Sequence, residues 1–202
     1  MAFWLAPVPL VLASRSAARR ALLEAAGIPI EPCPADLDER ALEANAISQH
    51  PTAVACLLAR QKAASVAKSH PGRLILGADQ TLALGSKRFS KSPDRLAARA
   101  QLQALRGRTH ELHAAIAFVQ DGAVVFEHVE TARLTMYAFS DDFLDAYLDA
   151  VGNAVFTSVG GYQLEGLGVQ LFERIEGDYF TILGLPLLQA LDFLRRHGCL
   201  AR

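Results

Sequence analysis

The stretch Pro9-Leu10-Val11-Leu12-Ala13-Ser14-Arg15-Ser16-Ala17-Ala18-Arg19-Arg20 decides how this chain is read. Its first five residues are a short, nearly continuous apolar run, the pattern of a strand buried on both faces. Ser14 and Ser16 supply oxygens that cap a helix, and Ala17 to Ala26 is good helix-forming sequence stopped by Gly27. A strand that turns straight into a helix is the opening unit of an α/β protein. The same junction is an anion site, because a helix N-terminus presents unpaired N–H groups and the positive end of its dipole. Arg19 and Arg20 fall in the first turns of that helix, where positive charge is disfavoured. A bound polyphosphate would relieve the conflict, and arginine meets phosphate oxygens through two parallel hydrogen bonds. Two arginines turned to solvent are an equally simple explanation of this segment taken alone.

Working outward, apolar runs and helical patterns alternate along the chain. Ile28–Cys33 reads as extended. Asp36–Glu43 is acidic and starts as a loop, and Thr52–Lys68 reads as a helix. Leu74–Gly77 reads as a second buried strand, and Pro93-Asp94 opens another helix. Thr109–Val119 and Ala123–Met136 read as strands, joined by the hairpin signal Asp121-Gly122. Ser140 caps a further helix. Val159–Gly168 is a glycine-rich loop, Val169–Ile175 and Tyr179–Leu183 read as a last pair of strands, and Pro186 sits in the first turn of a closing helix. The interleaving predicts a mixed sheet with helices packed on it, within a single domain spanning 1–202.

The bulk composition limits the function. With 202 residues, 51% of them hydrophobic, the chain can bury a sizeable core. A net charge of −1 supplies no global field for nucleic acid or membrane, so partners of either kind are not expected. Cys33, Cys56 and Cys199 are scattered and odd in number, which fits a reducing, cytoplasmic setting better than a disulfide framework. The apolar N-terminus is short and lacks a basic flank, so no signal peptide is expected, and no apolar run reaches the ~20 residues of a membrane helix. The six histidines lack metal spacing, with His110 and His113 read as strand residues in or near the core. The chain has no phosphate-binding P-loop, no G-x-G-x-x-G and no G-x-S-x-G.

Four further groups carry chemistry. Asp79, just after the apolar run ending at Gly77, stands where α/β proteins place catalytic and metal-binding acids. Lys62 and Lys91 can neutralise phosphate. Asp36, Asp38 and Glu39 offer hard oxygen donors of the kind that Mg²⁺ takes in small numbers. Ser158–Gly168 carries enough glycine for backbone to approach a ligand. Read singly, each has an ordinary explanation as well: a turn-starting aspartate, solvated lysines, an acidic surface loop, a flexible loop.

Taken in order, LAS-x-S-x-x-RR at Leu12–Arg20, ARQKA at Ala59–Ala63, GAD at Gly77–Asp79, SKS at Ser90–Ser92, LRGRTHEL at Leu105–Leu112, GGYQLEG at Gly160–Gly166 and GLPL at Gly184–Leu187 resemble the Maf family of nucleotide pyrophosphatases over nearly the whole chain. Ala18, Ser92 and Ser158 stand where the family more often carries Pro, Pro and Lys. The resemblance implies an inosine-triphosphatase-like α/β fold, with a mixed sheet, flanking helices and two lobes around a central cleft. It implies hydrolysis of a nucleoside triphosphate to the monophosphate and pyrophosphate, a divalent cation (Mg²⁺ or Mn²⁺), and a homodimer. It assigns Ser14, Arg19, Arg20, Lys62 and Lys91 to phosphate, Glu39 to the metal, and Asp79 to proton acceptance or metal binding. Gln80 and Glu165 match the branch acting on 7-methyl-GTP rather than the branch acting on dTTP or UTP. Glu165 has a physical rationale: guanine presents two N–H donors on its Watson–Crick edge, which suit a carboxylate, and the 7-methylated ring is cationic. A non-catalytic nucleotide-binding regulator of septum formation is the alternative from another class.

Overall fold

The computed structural model describes residues 3–202. Its strands are β1 (Leu10–Ala13), β2 (Ile30–Pro32), β3 (Leu74–Leu84), β4 (Lys87–Phe89), β5 (Thr109–Gln120), β6 (Ala123–Met136) and β7 (Phe172–Glu176). Its helices are α1 (Ala17–Ala25), α2 (Glu39–Ala44), α3 (Pro51–Ala67), α4 (Arg95–Leu105), α5 (Asp141–Val151), α6 (Tyr179–Ile182) and α7 (Leu187–Arg196). The strands form one mixed sheet in the order β2-β1-β3-β5-β6-β7, with β4 on β3. β1 runs parallel to β2 and to β3, with Leu12 opposite Pro32 and Leu76, while β4 and β7 add antiparallel. The α/β class with helices on a mixed sheet is as the sequence predicts.

The chain divides into two compact units: Met1–Gln80 with His113–Glu130 and Tyr179–Arg202, and Thr81–Leu112 with Thr131–Asp178. In the first, the two-residue period of β1 explains the layering. Leu10 and Leu12 pack on one face with Leu23 of α1 and Ala190, Phe193 and Leu194 of α7. Val11 and Ala13 pack on the other with Ala63, Val66 and Ala67 of α3. Both faces are covered, which is why the run from Leu10 to Ala13 carries no polar residue.

In the second unit, α4 and α5 are laced by the ion pairs Arg99–Asp145 (2.7 Å), Arg95–Asp149 (2.6 Å) and Arg106–Asp141 (2.8 Å). Exposed pairs of this kind contribute little individually. The unit's buried polar groups are joined directly: a ring nitrogen of His110 lies 2.7 Å from the Tyr162 hydroxyl, and the Tyr147 hydroxyl donates to the Gly161 carbonyl (3.0 Å).

Local caps follow the sequence. Ser16, Asp94 and Ser140 each accept a hydrogen bond from the amide three residues on. The Asp121-Gly122 hairpin has φ of 50° and 79°, the left-handed pair its two-residue turn needs. Three expectations are corrected. β3 runs on from Gly77 to Leu84, so Asp79 stands inside the strand, because Thr81-Leu82-Ala83-Leu84 continues the strand-forming sequence beyond the polar pair. The acidic segment begins as a loop through Asp38, as the sequence predicts, and then forms α2, because Asp38 accepts from the Ala41 amide and Glu39 suits a first turn. β7 begins only at Phe172, after a 3-10 turn over Leu167–Leu171. Tyr179–Leu183 is helical at Tyr179–Ile182, since Gly177 (φ 128°) and Gly184 (φ 89°) bracket a stretch too short to pair as a strand.

Candidate active site

Asp79 on β3 and Arg19 on α1 are among the few charged side chains buried in the protein, and both lie in the first unit. Glycine at position 77 makes the arrangement possible. A Cβ there would run into the backbone of Ala59 and Ala63, so only glycine lets α3 lie against β3. That approach carries Lys62 to the strand: its Nζ donates to Asp79 Oδ1 at 2.6 Å and sits 3.0 Å from Glu39 Oε1 of α2. The Lys62 and Asp79 side chains are only 12% and 10% exposed, so this pair is held largely out of water, whereas Glu39 is about half exposed.

Arg19 is fixed from three sides. Its Nε donates to the Gly184 carbonyl (2.7 Å), and its Nη1 to the Ala78 carbonyl (2.8 Å) and to Ser14 Oγ (3.1 Å). Ser14 Oγ also accepts from the Ser16 amide (3.2 Å), which leaves its own hydrogen to donate elsewhere. Burial pulls the guanidinium below its ordinary value, offset by Asp79 and Glu39, yet arginine stays charged at any working pH. Burial pushes the Asp79 carboxyl above the usual carboxylate range, against the pull of Lys62 and Arg19. A buried carboxylate between two cations, beside a capped helix start, is a place prepared for an anionic ligand and for proton transfer.

The donor set fits a hard divalent cation. Glu39 and Asp79 oxygens already converge on one cationic nitrogen, the Lys62 ammonium, and Mg²⁺ or Mn²⁺ needs few protein carboxylates when phosphate oxygens and waters complete the shell. No group of three or more His, Cys, Asp or Glu among the described residues is placed to hold a metal by itself.

Ser14, Arg19, Glu39, Lys62, Asp79 and Gln80 are thus brought together by direct contacts or chain adjacency. Arg20 is turned to the exposed side of α1, where its Nε meets Glu24 at 2.8 Å. The positive charge in the first turns of α1 is therefore met by protein oxygens: Glu24 for Arg20, two carbonyls and a hydroxyl for Arg19. Gln80 gives both amide hydrogens to backbone, at the Thr181 and Ile182 carbonyls (3.0 Å each). Lys91, exposed on the loop after β4, and Glu165, exposed in a turn of the glycine-rich segment, belong to the second unit. That segment is wound tightly. Ser158 Oγ donates to the Tyr162 carbonyl (2.5 Å), and a Cβ at Gly160 would strike the Tyr162 ring. Sequence reasoning missed Gly77, Ala78 and Gly184, whose contributions are an absent side chain and two carbonyls. The clue available was that the GAD and GLPL segments each carry a glycine in apolar surroundings.

Residues 9–197 match the family model described as Maf-like protein. A nucleoside triphosphate pyrophosphatase of Rhodopseudomonas palustris is 56% identical over 201 residues, covering all of both chains. One of Bradyrhizobium diazoefficiens is 53% identical over 201 residues, again covering both fully. Among solved structures, a HAM1 protein from Coxiella burnetii aligns at a TM-score of 0.42 and 19% identity, over 65% of this chain and 74% of that one.

Proposed function

The chain belongs to the Maf-like protein family, and from that premise we propose that it hydrolyses a nucleoside triphosphate to the monophosphate and pyrophosphate at the Asp79 site. The observation that carries this reading is the buried Asp79 carboxylate, paired with Lys62 and within the electrostatic reach of the buried Arg19. The full-length relatives named nucleoside triphosphate pyrophosphatase support it.

The reaction asks for little covalent work from the protein. Water attacks the α-phosphorus in line, the bond from that phosphorus to the β-phosphate bridging oxygen breaks, and pyrophosphate leaves. Asp79 orients the water and accepts its proton, a task for which a carboxyl raised by burial is suited. The Ser14 hydroxyl, Arg19 and Lys62, all of the first unit, meet the phosphate chain and neutralise it. Glu39 and Asp79 would hold a divalent cation, which would withdraw charge from the phosphoryl oxygens. No helix among the described residues is long and apolar enough to cross a membrane. The three free cysteines suit a reducing compartment, and we place the enzyme in the cytoplasm.

For the base we propose 7-methylguanine. Gln80 spends its donors on the Thr181 and Ile182 carbonyls, so the preference rests on the exposed Glu165 carboxylate, an acceptor for the guanine N–H donors and a counter-charge for the methylated ring. Initial rates with 7-methyl-GTP, GTP, UTP and dTTP in Mg²⁺ or Mn²⁺, reading pyrophosphate and monophosphate, test both levels. Preference for 7-methyl-GTP is expected. Preference for UTP or dTTP overturns the base assignment alone, and release of orthophosphate in place of pyrophosphate overturns the reaction.

A further inference from the structure

The GLPL segment has no role in the chemistry above, yet Gly184 lies directly against the buried guanidinium. Its carbonyl accepts from Arg19 Nε at 2.7 Å, its φ is 89°, and a Cβ on it would stand 3.2 Å from Arg19 Nη2 and 3.3 Å from Nε. Two reasons therefore require glycine here: the left-handed backbone and the space taken by the arginine. The turn that presents this carbonyl is tied down at its other end by Gln80, through the Thr181 and Ile182 carbonyls. Arg19 in turn holds the Ala78 carbonyl, so β3 is gripped on both sides of Asp79, at Ala78 by Arg19 and at Gln80 by the turn. With Nε and Nη1 committed to Gly184, Ala78 and Ser14, Nη2 is the edge of the fork left to meet a ligand.

We propose that Gly184 and the Thr181–Gly184 turn are the aiming device of the active site: Gly184 is a positioning residue that sets where Arg19 Nη2 points relative to the reacting phosphate. The proposal rests on the assignment of the Asp79 site to triphosphate hydrolysis. It also changes what Arg19 does. A bidentate grip on phosphate gives way to a single-edged contact, with the rest of the guanidinium serving as a strut between α1, β3 and the turn.

The test is a double-mutant cycle on the full chain with Mg²⁺ and the best triphosphate of the panel: Gly184→Ala, Arg19→Lys and the pair, with thermal midpoints measured alongside. Because Gly184 acts only through Arg19, its replacement is expected to lower kcat by about tenfold with KM changed far less, and to cost nothing further once Arg19 is lysine. A purely structural role moves the midpoint and leaves the two losses multiplying. A kcat for Gly184→Ala within about threefold of the parent, or a double variant nearer the product of the single losses than to Arg19→Lys alone, overturns the proposal. Should Gly184→Ala fail to fold, Gln80→Met, which releases the other end of the turn, replaces it in the same cycle under the same criteria. If Asp79→Asn keeps full turnover, the site assignment itself has failed. If Asp79→Asn and Arg19→Lys are impaired while the Gly184 variant is not, only the aiming proposal has failed.

Discussion

The two compact units bury polar groups in opposite ways. The first buries charge. Arg19, Asp79 and Lys62 are drawn out of water and balanced against one another and against backbone carbonyls. The second buries neutral polarity: a His110 ring nitrogen meets the Tyr162 hydroxyl and the Tyr147 hydroxyl donates to the Gly161 carbonyl, while His110 Nδ1 is buried without a partner. Buried charge is expensive to maintain, and a cheaper apolar core was open to the first unit. Its retention in one place is what the proposed handling of an ionic ligand and a proton at this site requires. The neutral network of the second unit fixes a loop and needs no ligand to account for it.

Breaking the ionic set should therefore cost the most. Replacing Lys62 by Met leaves Asp79 buried beside Arg19 without its nearest counter-ion, and the folded state is expected to lose about 3 kcal/mol in urea unfolding, together with most of its turnover. An unfolding midpoint equal to that of the parent would contradict the claim that this pair is held out of water. Gly77→Ala attacks the same contact from behind. Its Cβ meets Ala59 and Ala63, α3 is forced off β3, and stability should fall by about 2 kcal/mol with a matching drop in activity. Unchanged activity in a folded Gly77→Ala protein would show that the close approach does not set the Lys62–Asp79 geometry.

The neutral network should answer to pH instead. Burial holds His110 down at about 4, from 6.5 in the unfolded chain. A histidine depressed by folding leaves stability intact above the unfolded value. As pH falls below it, the unfolded state takes up the proton first and stability is lost until the folded value is reached. Between pH 7 and pH 5 this amounts to about 2 kcal/mol, which His110→Gln should not show. Parallel stability profiles for the two proteins would refute the assignment of a buried neutral imidazole. At the small end, Arg20→Ala removes only an exposed pair with Glu24 and should change stability by less than about 0.5 kcal/mol.

The same contrast governs what the sequence discloses. Strand β1, the Ser16 cap, α1 and the Asp121-Gly122 hairpin are legible because each is specified by neighbours in the chain. The Ser14–Arg20 turn and the buried aspartate are legible as residue types, since serine, arginine and aspartate carry their chemistry in side chains. What Arg19 does was hidden, because its partners are the carbonyls of residues 78 and 184, and a carbonyl has no sequence signature. α6 departs from the strand its sequence suggests for a related reason. Tyr179-Phe180-Thr181-Ile182 has strand propensity, and only the flanking positive-φ glycines and the tethers from Gln80 make it a turn. Lys91 and Glu165 sit in the second unit, and the roles proposed for them depend on a ligand.

The central claim is that Asp79, held between Lys62 and Arg19, performs triphosphate hydrolysis. It is tested most directly by following pyrophosphate release from the panel's best nucleotide by the parent and by Asp79→Asn under identical metal and pH. The account predicts stoichiometric pyrophosphate and monophosphate from the parent, and turnover reduced at least about 100-fold in a variant that remains folded. Near-normal pyrophosphate release by folded Asp79→Asn would contradict it.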